Sequence, residues 1–314
     1  MKPRISVGEA LGLVPFSLRA REAWLAVRGD ANVPATRFGL SSVKIFHPAL
    51  SVSTWLGRKR VDGLVPIINL VNRTPTPLAE GWSVRKTQVR DFRGGTLGYD
   101  SHNGTDFAVP VGTTVVTAAP GRVLRISSEY NRGGLKIFID HGQGLVTTYN
   151  HLARALVSVG DDVVRGQPIA LSGYSGIDAL VAFPWSAPHV HFNVWLNGAY
   201  TDPFAVPGEV PLWRDENEPR PGKDDGEPAT LTDWDPGAVE ETIAACKDEA
   251  IRAELLREPD LARRAMNVLF ARNYYPTRFA SAPLLSVEPK TRAPWLDLPF
   301  SADESSGVMF ADDA

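Results

Sequence analysis

Residues 134–152 read GLKIFIDHGQGLVTTYNHL. Two runs rich in β-branched and aromatic residues lie on either side of HGQG, whose glycines are typical of a turn between strands. Short runs of the same kind, separated by glycine, continue in both directions over residues 96–204, as in TTVVTAA, GRVLRISS, QPIALSG and HVHFNVWLNG. This pattern predicts a mainly β domain over residues 91–206, built as a compact antiparallel or barrel-like sheet.

The composition of the 314-residue chain allows a packed core, because 43% of the residues are hydrophobic and 22% are charged. The formal net charge of −3 gives no reason to expect a nucleic-acid partner. Cys246 is the single cysteine, which excludes an intrachain disulfide and a multi-cysteine metal site. No apolar run approaches the roughly 20 residues of a membrane span. Because Glu9 interrupts the apolar part of the N-terminus, we do not interpret these residues as a signal peptide.

The residues before the β-rich region, 1–90, show a mixed pattern. SLRAREAWLAVRGD predicts a short helix, with Ser17 as its N-cap and Gly29 as its end. VDGLVPIINLVN, at 61–72, is apolar enough to predict one or two buried strands. We therefore expect a mixed, α-containing N-terminal region.

Two kinds of segment follow the β-rich region. Residues 207–232 are rich in acids, proline and glycine, which predicts a linker or solvated loop. Residues 233–314 are expected to form a helical C-terminal region, in which Asp235 caps a helix through DPGAVEETIAACKDEAIRAELL and a second helix follows Pro259. The final residues, 301–314, are expected to be a frayed tail.

Histidines are concentrated in the β-rich region, which holds five of the six in the chain. His189 and His191 flank a single valine, and in a strand both imidazoles would point to the same face. Zinc binds imidazole nitrogen and carboxylate oxygen, prefers four ligands, and keeps one position for water in catalytic sites. A histidine and an aspartate from one segment and a histidine from another would supply three ligands. His102 and Asp106 are such a pair, although Gly104 between them favours a loop entering a strand over a helix.

Five short motifs occur in a fixed order over residues 98–204, about a third of the chain. They are HNGTD (102–106), GTTVVTAAPGRV (112–123), YNHL (149–152), VSVGDDVVRGQ (157–167) and PHVHF (188–192). This ordered set resembles the lysostaphin-type (LytM, M23) zinc metallopeptidases. Each motif alone is weak, but the order of all five is specific.

The resemblance implies a zinc site and a reaction. His102, Asp106 and His191 would be the zinc ligands, while His151 and His189 would orient and deprotonate the water and stabilise the tetrahedral intermediate. The implied activity is that of a metalloendopeptidase that hydrolyses peptide bonds of bacterial peptidoglycan, in the cross-link or in an interpeptide bridge. It also implies peptidoglycan peptides as the substrate, a cell-division or wall-remodelling protein as a partner, and a location in the cell envelope, periplasm or extracellular space.

Two departures from the family pattern and two rival interpretations remain. IDALVAFPWSA (177–187) is longer and more aromatic than the usual connection, so we expect it to wall the cleft, and Asn193 stands where an acid is common. A non-catalytic member of the same fold, which binds cell-wall material or regulates another hydrolase, is the main alternative. A lipoyl- or biotinyl-carrier domain would need a lysine at a hairpin tip, whereas Lys136 lies within a predicted strand. His141 is interpreted as structural or cleft-lining.

Overall fold

The structure is a computed structural model that describes residues 4–87, 90–289 and 291–313. Over these residues it contains a large sheet with a long β6 at its centre. The strands are β1 Leu64–Asn69, β2 Thr105–Ala108, β3 Thr114–Val116, β4 Gly121–Glu129, β5 Gly134–Asp140, β6 Leu145–Ala155, β7 Asp162–Val163, β8 Pro168–Ser172, β9 His189–Leu196, β10 Ala199–Thr201 and β11 Gly307–Phe310. The domain is therefore mainly β, as the glycine-punctuated sequence predicts.

The main path of the sheet runs in the order β11-β1-β2-β9-β6-β5-β4-β7. β10 pairs with β9, and β8 joins β3 to β6. Among the described strands every pair is antiparallel except β1 and β11, which are parallel. Antiparallel neighbours with short connections are what the closely spaced strand patterns predict.

β6 changes partner halfway along its length. Residues 145–150 pair with β9, whereas the pairing with β8 starts at Leu152. His151 lies at the break and has a φ of 59°, in the left-handed region that residues other than glycine seldom adopt. Its backbone N–H donates to the carbonyl of Gly133 at 2.8 Å. The break in the sheet therefore holds this histidine in an unusual conformation beside β9.

The two faces of β9 have different surroundings because side chains alternate along a strand. Val190, Phe192 and Val194 are fully buried in an apolar cluster under the sheet, which also contains Trp213. His189, His191 and Asn193 lie on the opposite face by the same alternation. A second cluster lies between the sheet and the C-terminal helices, and it includes Phe138, Trp195, Val239, Leu269 and Phe270.

The described helices lie mainly outside the β-rich region. They are α1 Val7–Ala10, α2 Phe16–Arg28, α3 Pro48–Trp55, α4 Asp178–Val181, α5 Pro236–Ala244, α6 Glu249–Leu256 and α7 Leu261–Tyr274, with 3₁₀ turns at Leu40–Ile45, Leu78–Glu80 and Pro276–Arg278. Among the described residues, none of these helices has both the length and the apolar character that a membrane span requires.

The helix predictions are correct in position and wrong in some boundaries. α2 ends before Gly29 as expected, but it begins at Phe16 and its N-cap is Pro15, not Ser17. Asp235 caps α5 by accepting from Ala238 N–H, as predicted. The single helix expected after it is two helices, because Asp248 accepts from the next N–H groups and starts α6. The helix expected after Pro259 is α7.

The expectation of a frayed tail over residues 301–314 is wrong. Residues 307–310 form β11, which pairs with the outer edge of β1 in the register Leu64 to Gly307 and Ile67 to Phe310. Phe310 packs on the apolar cluster, and the guanidinium of Arg93 lies 4.0 Å from its ring centre. The tail is therefore ordered because its short apolar run, which acidic residues flank, pairs with the free edge of β1.

The segment 207–232 has no regular helix or strand over its described residues, but it is fixed to the sheet. Trp213 within it is fully buried. Arg165, just after β7, bonds to Asp225 at 3.0 Å and Glu227 at 2.7 Å in this segment, and to Asp297 at 2.9 Å. The division of the chain at residues 206 and 232 remains a prediction.

Candidate metal centre

The register of the sheet aligns four polar residues in one row. Asn69 of β1 pairs with Asp106 of β2, Asp106 pairs with His191 of β9, and His191 pairs with Asn150 of β6. Residues directly opposite each other on neighbouring strands share a face and lie within side-chain contact. The pairing of four strands therefore brings a carboxylate and an imidazole together with an asparagine on either side.

His102 joins this row from the turn that leads into β2. Its Nε2 lies 3.0 Å from Asp106 Oδ2 and 3.2 Å from His191 Nδ1, and His191 Nδ1 lies 2.6 Å from Asp106 Oδ1. Gly104 is needed at the centre of this turn because a Cβ there would stand 2.6 Å from His191 Nε2. The loop shape that the sequence left open thus brings His102 to Asp106.

In each imidazole one nitrogen faces the carboxylate and the second nitrogen points away from it. The hydrogen bonds of the second nitrogen bear on whether the first carries a proton. His102 Nδ1–H donates to the carbonyl of Leu70 at 2.7 Å, which leaves Nε2 unprotonated. Asn193 Nδ2 lies 2.8 and 3.0 Å from Asn103 O and Oδ1 and 2.9 Å from His191 Nε2. His191 Nε2 also lies 3.1 Å from Asn103 Oδ1. A proton on Nδ1 donates to Asp106 Oδ1, whereas a proton on Nε2 donates to Asn103 and leaves Nδ1 with a lone pair. In the second tautomer two imidazole lone pairs and a carboxylate face one another, which is the arrangement that binds a cation.

Asp106 is held as an anion at this point. Burial alone would raise the pKa of its carboxyl, but His102, His189 and His191 outweigh burial and hold that pKa well below its usual range. Asn69 Nδ2 donates to Asp106 Oδ2 at 2.8 Å, which supports the same oxygen that faces His102. Burial, in turn, lowers the pKa of the His191 imidazole despite the nearby carboxylate. A neutral imidazole and an ionised carboxylate are the forms that bind metals.

A second pair of imidazoles lies beside this group. The ring centres of His151 and His189 are 4.7 Å apart, and those of His151 and His191 are 6.0 Å apart. His151 Nδ1–H donates to Ser175 O at 2.7 Å, so its Nε2 is free to accept a proton. His189 Nδ1–H donates to Ala187 O at 2.9 Å, and its Nε2 lies 3.7 Å from Asp106 Oδ1. All five residues named from the sequence motifs are thus gathered in one place.

Asp178 is the charged residue of the site that the sequence did not identify. It begins α4 in the long segment 177–187, and its Oδ2 lies 3.5 Å from His151 Nε2. Asp178, His151 and His189 also form a second group whose ligand atoms lie within 4.8 Å of one another. Burial lowers the pKa of the His151 imidazole well below its usual value, with a further contribution from His189. No motif in the sequence marks Asp178, because its place depends on how the segment folds back over β6.

The cleft above these groups, here called the histidine cleft, has walls from three parts of the chain. Its lining includes the two imidazoles of His151 and His191, and also Val27, Phe38, Trp82, Val84, Tyr99, Arg132, Ile177, Asp178, Val181 and Tyr274. The segment 177–187 does wall the cleft, as expected from its length. The N-terminal region and α7 contribute to the same walls, which the sequence did not predict.

Three residues outside the candidate metal centre have structural roles. His141 is fully buried. Its Nδ1–H donates to Pro120 O and its Nε2 accepts from Thr147 Oγ1, both at 2.7 Å. Lys136 is buried in β5 and bonds to Glu129 at 2.6 Å, so it cannot carry a swinging cofactor. Cys246 is buried in the apolar cluster beside the C-terminal helices, as predicted.

Fold and site together define the class, a mainly β domain with a His–Asp–His group beside two further histidines. The sequence profile of peptidase family M23 matches residues 100–203, about a third of the chain. A relative from Haemophilus influenzae, 35% identical over 105 residues, is named an uncharacterized metalloprotease, and the residues of this chain that could hold a metal ion are His102, Asp106 and His191.

Individual proteins are similar to part of the chain. The chain is 39% identical to peptidoglycan DD-endopeptidase ShyA of Vibrio cholerae over 111 residues, which are 35% of this chain and 24% of ShyA. It is 32% identical to murein hydrolase activator EnvC of Escherichia coli over 123 residues, 39% of this chain and 27% of EnvC. The chain therefore spans about a quarter of the length of these relatives. The catalytic domain of the antimicrobial peptidase lysostaphin from Staphylococcus simulans is 30% identical, with 33% of this chain and 77% of that chain covered and a TM-score of 0.29.

Proposed function

We propose that the protein is a zinc-dependent endopeptidase that hydrolyses peptide bonds of bacterial peptidoglycan. The observation that carries the proposal is the convergence of two imidazole nitrogens and a carboxylate within 3.2 Å, with two more imidazoles beside them. Similarity to ShyA supports peptidoglycan as the substrate. An endopeptidase of the cell wall acts in the envelope, periplasm or extracellular space, which is the location we propose.

The donor set favours zinc over calcium and magnesium. Two imidazole nitrogens and one carboxylate oxygen are typical ligands of catalytic zinc, whereas calcium and magnesium prefer sites made of oxygen alone. His102 Nε2, His191 Nδ1 and Asp106 would hold the ion. Hydrogen bonds from the second nitrogen of each imidazole and from Asn69 fix the ligands in orientation. When bound, zinc supplies a Lewis acid for the scissile carbonyl and makes water a stronger acid.

His151 and His189 supply the acid–base chemistry in this proposal. His151 Nε2 accepts the proton of the attacking water, because its Nδ1 is occupied by Ser175 O. His189 lies on the same strand face as His191 and stabilises the negative charge that develops on the substrate oxygen. No nucleophilic serine or cysteine is needed, so no covalent acyl-enzyme forms.

Three histidine variants separate metal binding from catalysis. His191→Ala should lose both zinc and hydrolysis of purified peptidoglycan, because one of three ligands is removed. His151→Ala and His189→Ala should keep most of the zinc and lose turnover by about 100-fold or more, the usual contribution of general acid–base groups. His47→Ala is the matched control and should change neither, because His47 does not line the histidine cleft and is not in either group that could hold a metal ion. Full metal occupancy in His191→Ala, or near-normal rates in the other two, would contradict these roles.

A metal-free regulator of another hydrolase is the competing candidate, since EnvC is named as an activator. Metal analysis of the purified protein and release of muropeptides from peptidoglycan distinguish the two. A protein with about one zinc per chain that releases peptides is the enzyme. A protein without metal and without activity is the regulator.

A further inference from the structure

Arg132 is a buried cation without a counter-ion in the wall of the histidine cleft. Its side chain is 8% exposed, and it lines the cavity that contains His151 and His191. Over the ranges that the structure describes, no carboxylate lies within salt-bridge distance of it. Burial lowers the pKa of the Arg132 guanidinium, and the positive charge of Arg278 lowers it further. Arg278 itself has a partner, since it bonds to Asp30 at 3.0 Å.

The hydrogen bonds of Arg132 fix its guanidinium but leave part of it open. Nε donates to Tyr274 O at 3.2 Å and Nη1 donates to Asn131 O at 2.8 Å. Nη2 makes no hydrogen bond with any described residue. The guanidinium carbon lies 5.4 Å from the ring centre of Trp82 and 5.0 Å from that of Tyr275. Two aromatic rings thus hold the group in place while its outer nitrogen lacks a partner.

A second buried arginine shows what a purely structural role looks like. Arg272 is 7% exposed and also lacks a carboxylate partner among the described residues. Both of its terminal nitrogens donate to backbone carbonyls, of Pro283 and Gly198, and it does not line the histidine cleft. Arg132 differs in both respects, because it has an open nitrogen and lines both the histidine cleft and a smaller cavity beside it that Trp82 and Tyr275 share.

Arg132 is also connected to the candidate metal centre on two sides. The next residue, Gly133, accepts the backbone N–H of His151 at 2.8 Å. Tyr274, whose carbonyl holds Arg132 Nε, donates its hydroxyl to Asn193 at 3.1 Å. Arg132 and Trp82 line the same cleft as His151 and His191, so a peptide that fills the cleft can contact both ends.

We propose that Arg132 is a specificity-determining residue that binds a free carboxylate of the peptide substrate. A guanidinium pairs with a carboxylate through parallel N–H···O bonds, which a neutral amide cannot reproduce. The inference rests on the proposed function and narrows it, because it predicts a substrate with a free carboxylate near the scissile bond.

Matched peptides test this inference on the zinc-loaded full chain. The substrates are a cross-linked stem-peptide dimer with free carboxylates, versions in which each carboxylate in turn is an amide, and a pentaglycine-bridged dimer. The wild type should cleave the free acid with a kcat/KM about 10- to 100-fold above one of the amides, mainly through KM. R132Q should lose this preference and R132K should keep part of it, while R272Q, the control, should keep all of it.

Binding of the same peptides to metal-free protein, measured by calorimetry, separates failure of this inference from failure of the proposed function. If no peptide is cleaved but the free acid binds more tightly in an Arg132-dependent way, the endopeptidase proposal fails and the carboxylate site stands. Equal affinities and equal rates for acid and amides overturn the carboxylate site. If circular dichroism shows R132Q to be unfolded, R132K must weaken the preference for the free acid, and an unchanged preference in R132K overturns the assignment to Arg132.

Discussion

Removal of one hydrogen bond to Asp106 should weaken zinc binding without removing a ligand. Asn69 Nδ2 donates to Asp106 Oδ2 at 2.8 Å, and its Oδ1 has no partner among the described residues. Asn69→Ala therefore removes one contact and leaves no second group unpaired. A hydrogen bond to a charged group contributes about 1.5–3 kcal/mol. Because about 1.4 kcal/mol is a factor of ten, we expect the Kd for zinc to rise about 10- to 100-fold.

A competition titration with a chelator measures this Kd. Asn72→Ala is the matched control, since Asn72 is also a buried asparagine whose side chain donates to Asp100 O at 2.6 Å and not to a ligand. Its backbone N–H donates to His102 O at 2.8 Å, and alanine keeps that bond. It should leave the Kd for zinc unchanged even where it lowers the free energy of unfolding. An unchanged Kd in Asn69→Ala would refute the reasoning. So would an equal rise in both variants, because the effect would then be general destabilisation.

Further predictions concern proton transfer and packing. Burial lowers the pKa of the His151 imidazole well below its usual value of about 6.5, so this base stays neutral at that pH. Turnover should therefore persist below about pH 6.5 and fall as the pH drops through the lowered pKa. An acid midpoint above about 6.5 in a pH–rate profile would contradict this. Asp178→Asn removes the carboxylate 3.5 Å from His151 Nε2 and should reduce kcat about tenfold while zinc content, measured by metal analysis, stays constant. Arg165→Met removes the closer cation of buried Asp297 and leaves Arg214 at 3.5 Å, so it should lower the free energy of unfolding in urea by about 3 kcal/mol, the low end for a broken buried pair. The control Arg122→Met, at an exposed pair, should cost less than about 1 kcal/mol.

The sequence was sufficient where a local rule determines position. Alternation along β9 follows from the period of a strand, so His189 and His191 could be assigned to one face and Val190 to the other. Gly104 likewise indicated a turn before β2. The identity of the β-rich region and the gathering of its histidines were therefore predictable from short patterns and their order.

Features that depend on long-range pairing were not predictable. Asn69 is 37 residues before Asp106, and only the pairing of β1 with β2 places the two side by side. The acidic composition of the last residues predicted fraying, but the free edge of β1 binds residues 307–310. Asp178 and Arg132 reach the cleft through the folding of loops over β6, which no spacing of residues reveals.

The extended row across β1, β2, β9 and β6 bears on how the peptidase unit should be cut from the chain. The family match starts at residue 100, whereas the asparagine that steadies Asp106 lies at position 69. A fragment trimmed to the matched region would keep every proposed ligand and lose the support behind one of them. Such a fragment would bind its metal loosely, and its weak activity would reflect the site of truncation and not the chemistry of the intact protein.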